Sequence, residues 1–464
     1  MVNPDYKFVF TPSPNKKYNL VELTDGVNQR KEILWAGIND FQLLQCNGPI
    51  DELMADALDL AMAVSTADRL SVRVKDRRFN IFLSLPVWSI SKFDNHFIKE
   101  LLQKILFWFT GDNWAFEFRQ KKGVRRIAEL QTWMPLSSNE SRVKEVALWS
   151  GGLDSLAGFL NRFKQNPDKE FILLGTGSNP MIGATQSRIF HKTRQLLHKT
   201  PSLIRVPITS SASSKLHRNS VQRSRGFVFM LIGAVCAIAE GIRSLHIYEN
   251  GTGALNLPYT STEVDLDHSR AVNPISLIYM EELLTHLLEE KFSIVNPFLF
   301  TTKAEMCGVF DSKELQSLIF ETISCDSRHR KRPQQCGYCS SCLLRRQAIE
   351  ANGIVDLTDY VIKAHDLKNS DNKSVAIRSM FYQSAKLKRA LASTHPGRTL
   401  AREFTELGEV IDYLAENNNI EETIIMQNFV SLFTRYTAEW DRVISSLSKN
   451  LIDLSELETI IEAA

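Results

Sequence analysis

The sequence has no apolar run of bilayer length. Its longest, GFVFMLIGAVCAIA from Gly226 to Ala239, is closed by Glu240 and falls short of the roughly 18 residues a membrane span needs. A helix buried under a sheet is the expected reading. Met1 opens onto VNPDYKFVF, with no basic stretch leading into an apolar one, so no secretory signal is expected. Charge of one sign is also missing: 55 Lys and Arg stand against 53 Asp and Glu, for a net charge of +2. Steering towards a nucleic acid or an anionic membrane needs a surface dominated by one sign, so neither partner is called for. No internal repeat and no low-complexity segment is present. A chain of 464 residues is expected to form two or three domains.

Cysteine is sparse except in one place. Cys46, Cys236 and Cys307 are scattered, whereas Cys325, Cys336, Cys339 and Cys342 crowd together. An odd, clustered set without a signal peptide points to metal binding in a reducing compartment rather than a disulfide frame, and cytoplasmic location follows. Cys236 and Cys307 lie in or beside helical patterns and read as small buried hydrophobes. His191, His198, His217, His246 and His268 share no spacing and are read as structural or surface residues.

The pattern divides the chain into an N-terminal mixed α+β part (1–142), an α/β core (143–355) and a helical C-terminal extension (356–464). In the first, YKFVF, RLSVRV, FNIFLSLPV and FEFRQ read as strands. Lys75-Asp76 reads as a hairpin tip, and 51–65 and 95–110 as helices. In the core, VKEVALW, FILLGTG, LIRVPIT and SLHIYEN are four short apolar strands alternating with helical segments. That alternation predicts a doubly wound parallel sheet. In the extension, RTLAREFTELGEVIDYLAENN and MQNFVSLFTRYTAEWDRVISSLSKN carry amphipathic helical spacing.

Between the first core strand and its helix stands Ser150-Gly151-Gly152-Leu153-Asp154-Ser155. A helix that starts at the carboxyl end of a parallel strand offers unpaired N–H groups and a partial positive charge, where an anion docks. Glycines let backbone approach a phosphate, and Ser150 and Ser155 add hydroxyls. Asp154 would repel a bare phosphate, so it is expected to meet one through magnesium. An N-cap turn without ligand is the plainer alternative.

Cys325-x10-Cys336-x2-Cys339-x2-Cys342 is a four-thiolate set that can close a tetrahedron, with Gly337 easing the turn. Zinc is favoured over an iron–sulfur cluster, because the Cys-Pro that usually follows such runs in ferredoxins is missing after Cys342; unliganded thiols are the remaining alternative. Four thiolates leave no open position, so the metal would be structural. Arg328, His329, Arg330, Lys331 and Arg332 in the spacer read as a solvated loop or as a basic rim facing a nucleotide or an acidic partner.

VALWSGGLDSLAGFL resembles the pyrophosphate-binding loop of the PP-loop ATPases. TISCDSRHRKRPQQCGYCSSCLLRRQAIEANG resembles the zinc segment of the QueC (7-cyano-7-deazaguanine synthase) family. The resemblance spans roughly 143–355 and implies a PP-loop (HUP-like) core. It also implies cleavage of ATP between its α and β phosphates and adenylation of a 7-deazaguanine carboxylate. On the same basis Arg225, at the start of the long apolar helix, would contact phosphate or carboxylate. Lys303, in a K-x-E that also includes Glu305, would neutralise the leaving pyrophosphate. Glu249-Asn250 after the fourth strand can read a guanine-like edge, with Asn256, Arg270 and Asn273-Pro274 on the same rim; turn chemistry without a ligand is their alternative.

The extensions make the chain look most like the QueC-like proteins of bacterial antiviral operons, such as the QatC component of the Qat system. There a protein amine, from a partner in the same operon, would replace ammonia as acceptor, so the expected enzyme is a carbon–nitrogen ligase. A plain nitrile synthase for base modification and a non-catalytic nucleotide-binding scaffold are the alternatives.

Overall fold

The computed structural model describes residues 4–13, 18–74, 77–123, 125–130, 143–176, 179–197, 201–212, 216–219, 221–259, 269–326, 334–363 and 372–448. The hairpin tip at Lys75-Asp76, the basic run Arg328–Arg332, His198 and His268 lie outside them.

Two sheets organise the chain. The first contains β1 (Tyr6–Pro12), β2 (Asn19–Asp25), β3 (Arg30–Ile38), β4 (Asn80–Val87), β5 (Asn113–Gln120) and β9 (Ile208–Ala212), in the order β5-β4-β1-β2-β3-β9. Strict alternation in β1 and β5 sends Tyr6, Phe8, Phe10, Trp114, Phe116 and Phe118 to one buried face, as period-two patterning requires. Helices Glu52–Leu70 and His96–Thr110 belong to this part of the chain.

The second sheet is entirely parallel and consists of β6 (Lys144–Leu148), β7 (Glu170–Gly175), β8 (Ser202–Arg205), β10 (Ser244–His246) and β11 (Ser293–Val295), ordered β11-β10-β6-β7-β8. Chain order runs outward from β6 on one side through β7 and β8, and on the other through β10 and β11. Val146, Ile172 and Leu174 join the core that contains helix Arg225–Ala239. Ala147, Phe171 and Leu173 face the opposite core, with helices Leu153–Gln165 and Pro180–Leu196. Strands covered on both faces are expected to be largely apolar; β7 follows this, whereas β6 carries the buried Glu145 near its start.

The structure corrects several sequence expectations. LIRVPIT is not one strand. Pro207 has no N–H for a ladder, and the chain changes sheets there: Val206 N–H still donates to Gly175 O at 3.0 Å, but Pro207 O accepts from Asn39 N–H at 2.9 Å. The second half becomes β9, antiparallel to β3, so the two sheets share one stretch of chain. RLSVRV is not a strand either. Arg69 and Leu70 finish a helix, and Arg73 turns inward to pair with Asp68 and Asp112; a buried ion triad replaces the ladder. The helical pattern across 398–418 breaks at the buried Phe404 into Pro396–Glu403 and Thr405–Asn418. Helix Val375–Leu391, β2 and β3 had no strong signal. Among the described residues no helix is long and apolar enough to cross a membrane.

Candidate functional site

The loop Ser150–Ser155 leaves β6 at its carboxyl end and enters helix Leu153–Gln165. Gly151 has φ +70°, a conformation that favours glycine, and a Cβ there would stand a tight 3.3 Å from the Gln186 side chain. The loop is fixed from two sides. From helix Pro180–Leu196, Gln186 Nε2 donates to Trp149 O (2.8 Å) and Trp149 Nε1 donates to Gln186 O (3.1 Å). From the cysteine segment, Ser324 Oγ accepts from Leu153 N–H (3.2 Å) and Ile323 N–H donates to Gly151 O (3.2 Å). Within the loop, Ser150 Oγ accepts from Gly152 N–H at 3.1 Å and Ser155 Oγ donates to Gly152 O at 3.0 Å.

Asp154, in the first turn of that helix, meets residues from two other strand-end loops. Its Oδ2 lies 2.8 Å from Lys303 Nζ, and its Oδ1 accepts from Asn250 Nδ2 at 2.9 Å. The same Nδ2 donates to Glu249 Oε1 at 2.8 Å. Asn250 Oδ1 faces the other way and caps helix Gly251–Leu255 through Gly253 N–H at 2.9 Å. The cap therefore fixes which side of the amide faces the carboxylates. Lys303 opens helix Lys303–Cys307 behind a complete capping box of Thr302 and Glu305. The side chains of Lys303 and Asp154 are only 7% and 14% exposed. Burial alone would lower the Lys303 pKa, but the Asp154 and Glu249 carboxylates hold it above the usual lysine range. β6, β10 and β11 thus deliver one ammonium and two carboxylates to the carboxyl edge of the parallel sheet, where open α/β sheets bind ligands.

Beside this cluster, the four cysteine sulfurs of Cys325, Cys336, Cys339 and Cys342 lie within 4.8 Å of one another. Cys336 Sγ to Cys342 Sγ is 3.8 Å and Cys339 Sγ to Cys325 Sγ is 4.0 Å. Bonds of about 2.3 Å to one tetrahedral ion put sulfurs about 3.8 Å apart, so the set fits a single zinc-like ion. An iron–sulfur cluster interposes its own atoms and needs a wider cage. Gly337 makes the turn at φ +89°, where a Cβ would strike Ile362 O at 2.2 Å. Arg345, fully buried, braces the approach to Cys325 through Thr322 Oγ1 and Ile319 O, each at 2.6 Å.

Residues 196–353 match the QueC family, described as queuosine biosynthesis protein QueC. The QueC-like interval contains Glu249, Asn250, Lys303 and all four cysteines; the Ser150–Ser155 loop precedes it. No curated protein matches the chain.

Within the QueC-like interval the remaining sequence-predicted residues take other places. Asn256, at φ +47°, ends the short helix that Asn250 begins, and its Nδ2 donates to Ser269 O at 3.2 Å. Arg270 lies against the N-terminal part: its guanidinium is 4.0 Å from the Trp108 ring, and Nη1 donates to Trp108 O at 3.0 Å. Arg225 is exposed at the start of its helix, whose N-cap Ser224 is held by Asp68 through both its N–H (2.9 Å) and its hydroxyl (2.8 Å). Cys236 and Cys307 are wholly buried, and burial pushes the Cys307 thiol up to about 12. Sequence reasoning missed Gln186, Ser324 and Arg345, whose partners are remote in the chain; the Thr302-x-x-Glu305 capping box was readable.

Proposed function

We propose that the chain is an ATP-dependent ligase with a doubly wound PP-loop core that adenylates a 7-deazaguanine carboxylate and passes the acyl group to an amine. A carboxylate oxygen attacks the α-phosphorus of ATP, and the bond to the β-phosphate oxygen breaks with release of pyrophosphate. The amine then attacks the acyl carbon, loses a proton, and AMP leaves with the oxygen it gained. Such a reaction needs positioning and charge neutralisation rather than a protein nucleophile. The Ser150–Ser155 turn would receive the pyrophosphate, with the Gly152 and Leu153 N–H groups exchanging Ser150 Oγ and Ser324 Oγ for its oxygens, and Lys303 would neutralise it as charge develops. Glu249 and Asn250 would face the base, and Arg225 would contact a phosphate or the carboxylate. Asp154 and Glu249 carry the oxygen ligands that magnesium prefers, and the ion would shield the phosphates from both carboxylates. The Asp154–Lys303–Asn250 cluster beside a glycine turn is the observation that carries this reading.

The acceptor is proposed to be a protein amine supplied by an operon partner in antiviral defence, with residues 1–142 and 356–464 as its docking surface. The family match favours a second reading, a nitrile synthase that uses ammonia. Incubation with ATP, magnesium and 7-carboxy-7-deazaguanine separates them. AMP and pyrophosphate with an amide on a co-expressed partner, seen by intact mass, supports the ligase. A nitrile formed from ammonia without a partner supports the synthase. Unchanged defence by Asp154→Ala in cells would leave only a scaffold role.

A further inference from the structure

The C-terminal helix Glu422–Ser448 lies far outside the matched interval, yet one of its faces is laid across both segments that surround Asp154. Leu432, Arg435 and Glu439 are spaced i, i+3 and i+7, which puts them on one stripe. Leu432 packs where a Cβ on Gly251 would come within 2.7 Å of its Cδ2, directly after Asn250. Arg435 Nε lies 2.7 Å from Glu305 Oε1, and Nη2 donates to Phe300 O at 2.7 Å. Glu439, only 3% exposed, accepts from the Thr302 hydroxyl at 2.6 Å and from Gln347 Nε2 at 3.1 Å. Gln347 belongs to helix Ser340–Ala351, which carries Cys342.

Thr302 and Glu305 are the two halves of the capping box that starts the Lys303 helix. Thr302 Oγ1 accepts from Glu305 N–H at 3.0 Å, and Glu305 Oε2 accepts from Thr302 N–H at 2.8 Å. A hydroxyl that donates to Glu439 must turn its lone pairs towards the helix, so Glu439 fixes the rotor in the capping orientation. Arg435 holds the other half by its carboxylate. Both halves of the box are therefore set by one helix turn of the C-terminal extension. Lys303 is the next residue, and from this start point its ammonium reaches Asp154 at 2.8 Å.

We propose that Glu439, assisted by Arg435, is a positioning residue for Lys303, so that the C-terminal extension is a working part of the active site. The role rests on the ligase reading above. The test compares wild type, Glu439→Ala, Glu439→Gln, Lys303→Met and the Glu439→Ala/Lys303→Met double variant in carboxylate-dependent ATP–pyrophosphate exchange, using 7-carboxy-7-deazaguanine. A misplacement on the order of 1 Å costs about 10²-fold in rate, so Glu439→Ala is expected to lose about that in kcat with the KM for ATP nearly unchanged. Gln retains an acceptor for Thr302 while Gln347 turns its amide, so Glu439→Gln is expected to restore most of the rate. The double variant is expected to be no slower than Lys303→Met. Wild-type kcat in Glu439→Ala, or a double variant slower than Lys303→Met by the full single effect, overturns the role while the ligase reading stands. So does a loss in kcat matched by a collapsed melting transition that Glu439→Gln fails to rescue. No exchange by wild type overturns the ligase reading and this role together.

Discussion

Asp154 and Lys303 form a nearly dry ion pair, so deleting either partner strands a charge. Asp154→Ala is expected to lower kcat by about 10²–10³-fold, the scale of removing one preorganised charge-stabilising group, as measured by steady-state AMP release. A second pair of outcomes concerns Glu145, at the opposite end of β6. It is wholly buried and bound by Arg162 (3.0 and 2.8 Å), Lys169 (3.0 Å) and the Tyr248 hydroxyl (2.8 Å). Burial would raise its carboxyl, but these donors and the nearby His246 bring it down to about 2. A depressed folded-state pKa means stability that is present above the unfolded value, near 4.5, and lost as pH falls towards 2. Glu145→Gln breaks a buried ion network and is expected to cost about 3–5 kcal/mol at neutral pH. In denaturant melts its deficit relative to wild type should shrink steadily below pH 4.5.

At the scale of elements, the four-cysteine segment and the Ser150–Ser155 loop are one mechanical unit, because Ile323 and Ser324 bond to Gly151 and Leu153 immediately before Cys325. The account predicts one zinc per chain by elemental analysis, and loss of that zinc in Cys336→Ser. It also predicts that a strong chelator lowers both the melting temperature and the affinity for ATP. Retained ATP binding in a metal-free, folded sample would break the proposed coupling. What the sequence made legible here follows from locality. The glycine turn, the cysteine spacing and the alternation of short apolar strands are each contained in a few dozen residues. The sheet change at Pro207 was not legible, since LIRVPIT reads equally well as one strand. The proline's missing donor acquires meaning only with Asn39 opposite it. Ser324 and Gln186 were invisible for the same reason: a lone Ser or Gln has no pattern until its partner arrives from another element.

Across the whole molecule, the N-terminal sheet is completed by β9 from the core, and Arg270 and Ser224 of the core are held by Trp108 and Asp68. The helical extension buries Phe381 against Trp440 and grips the Lys303 turn. Such shared packing predicts that a fragment holding only residues 143–355 will not give a cooperative thermal transition, whereas the full chain will. Differential scanning calorimetry on both decides this. The central claim is attack by a substrate carboxylate on the α-phosphorus of ATP. Its most direct test uses 7-carboxy-7-deazaguanine labelled with ¹⁸O in the carboxylate, with mass analysis of the nucleotide product after turnover. The account predicts AMP carrying one ¹⁸O. Unlabelled AMP, or ADP with the label in inorganic phosphate, would contradict it.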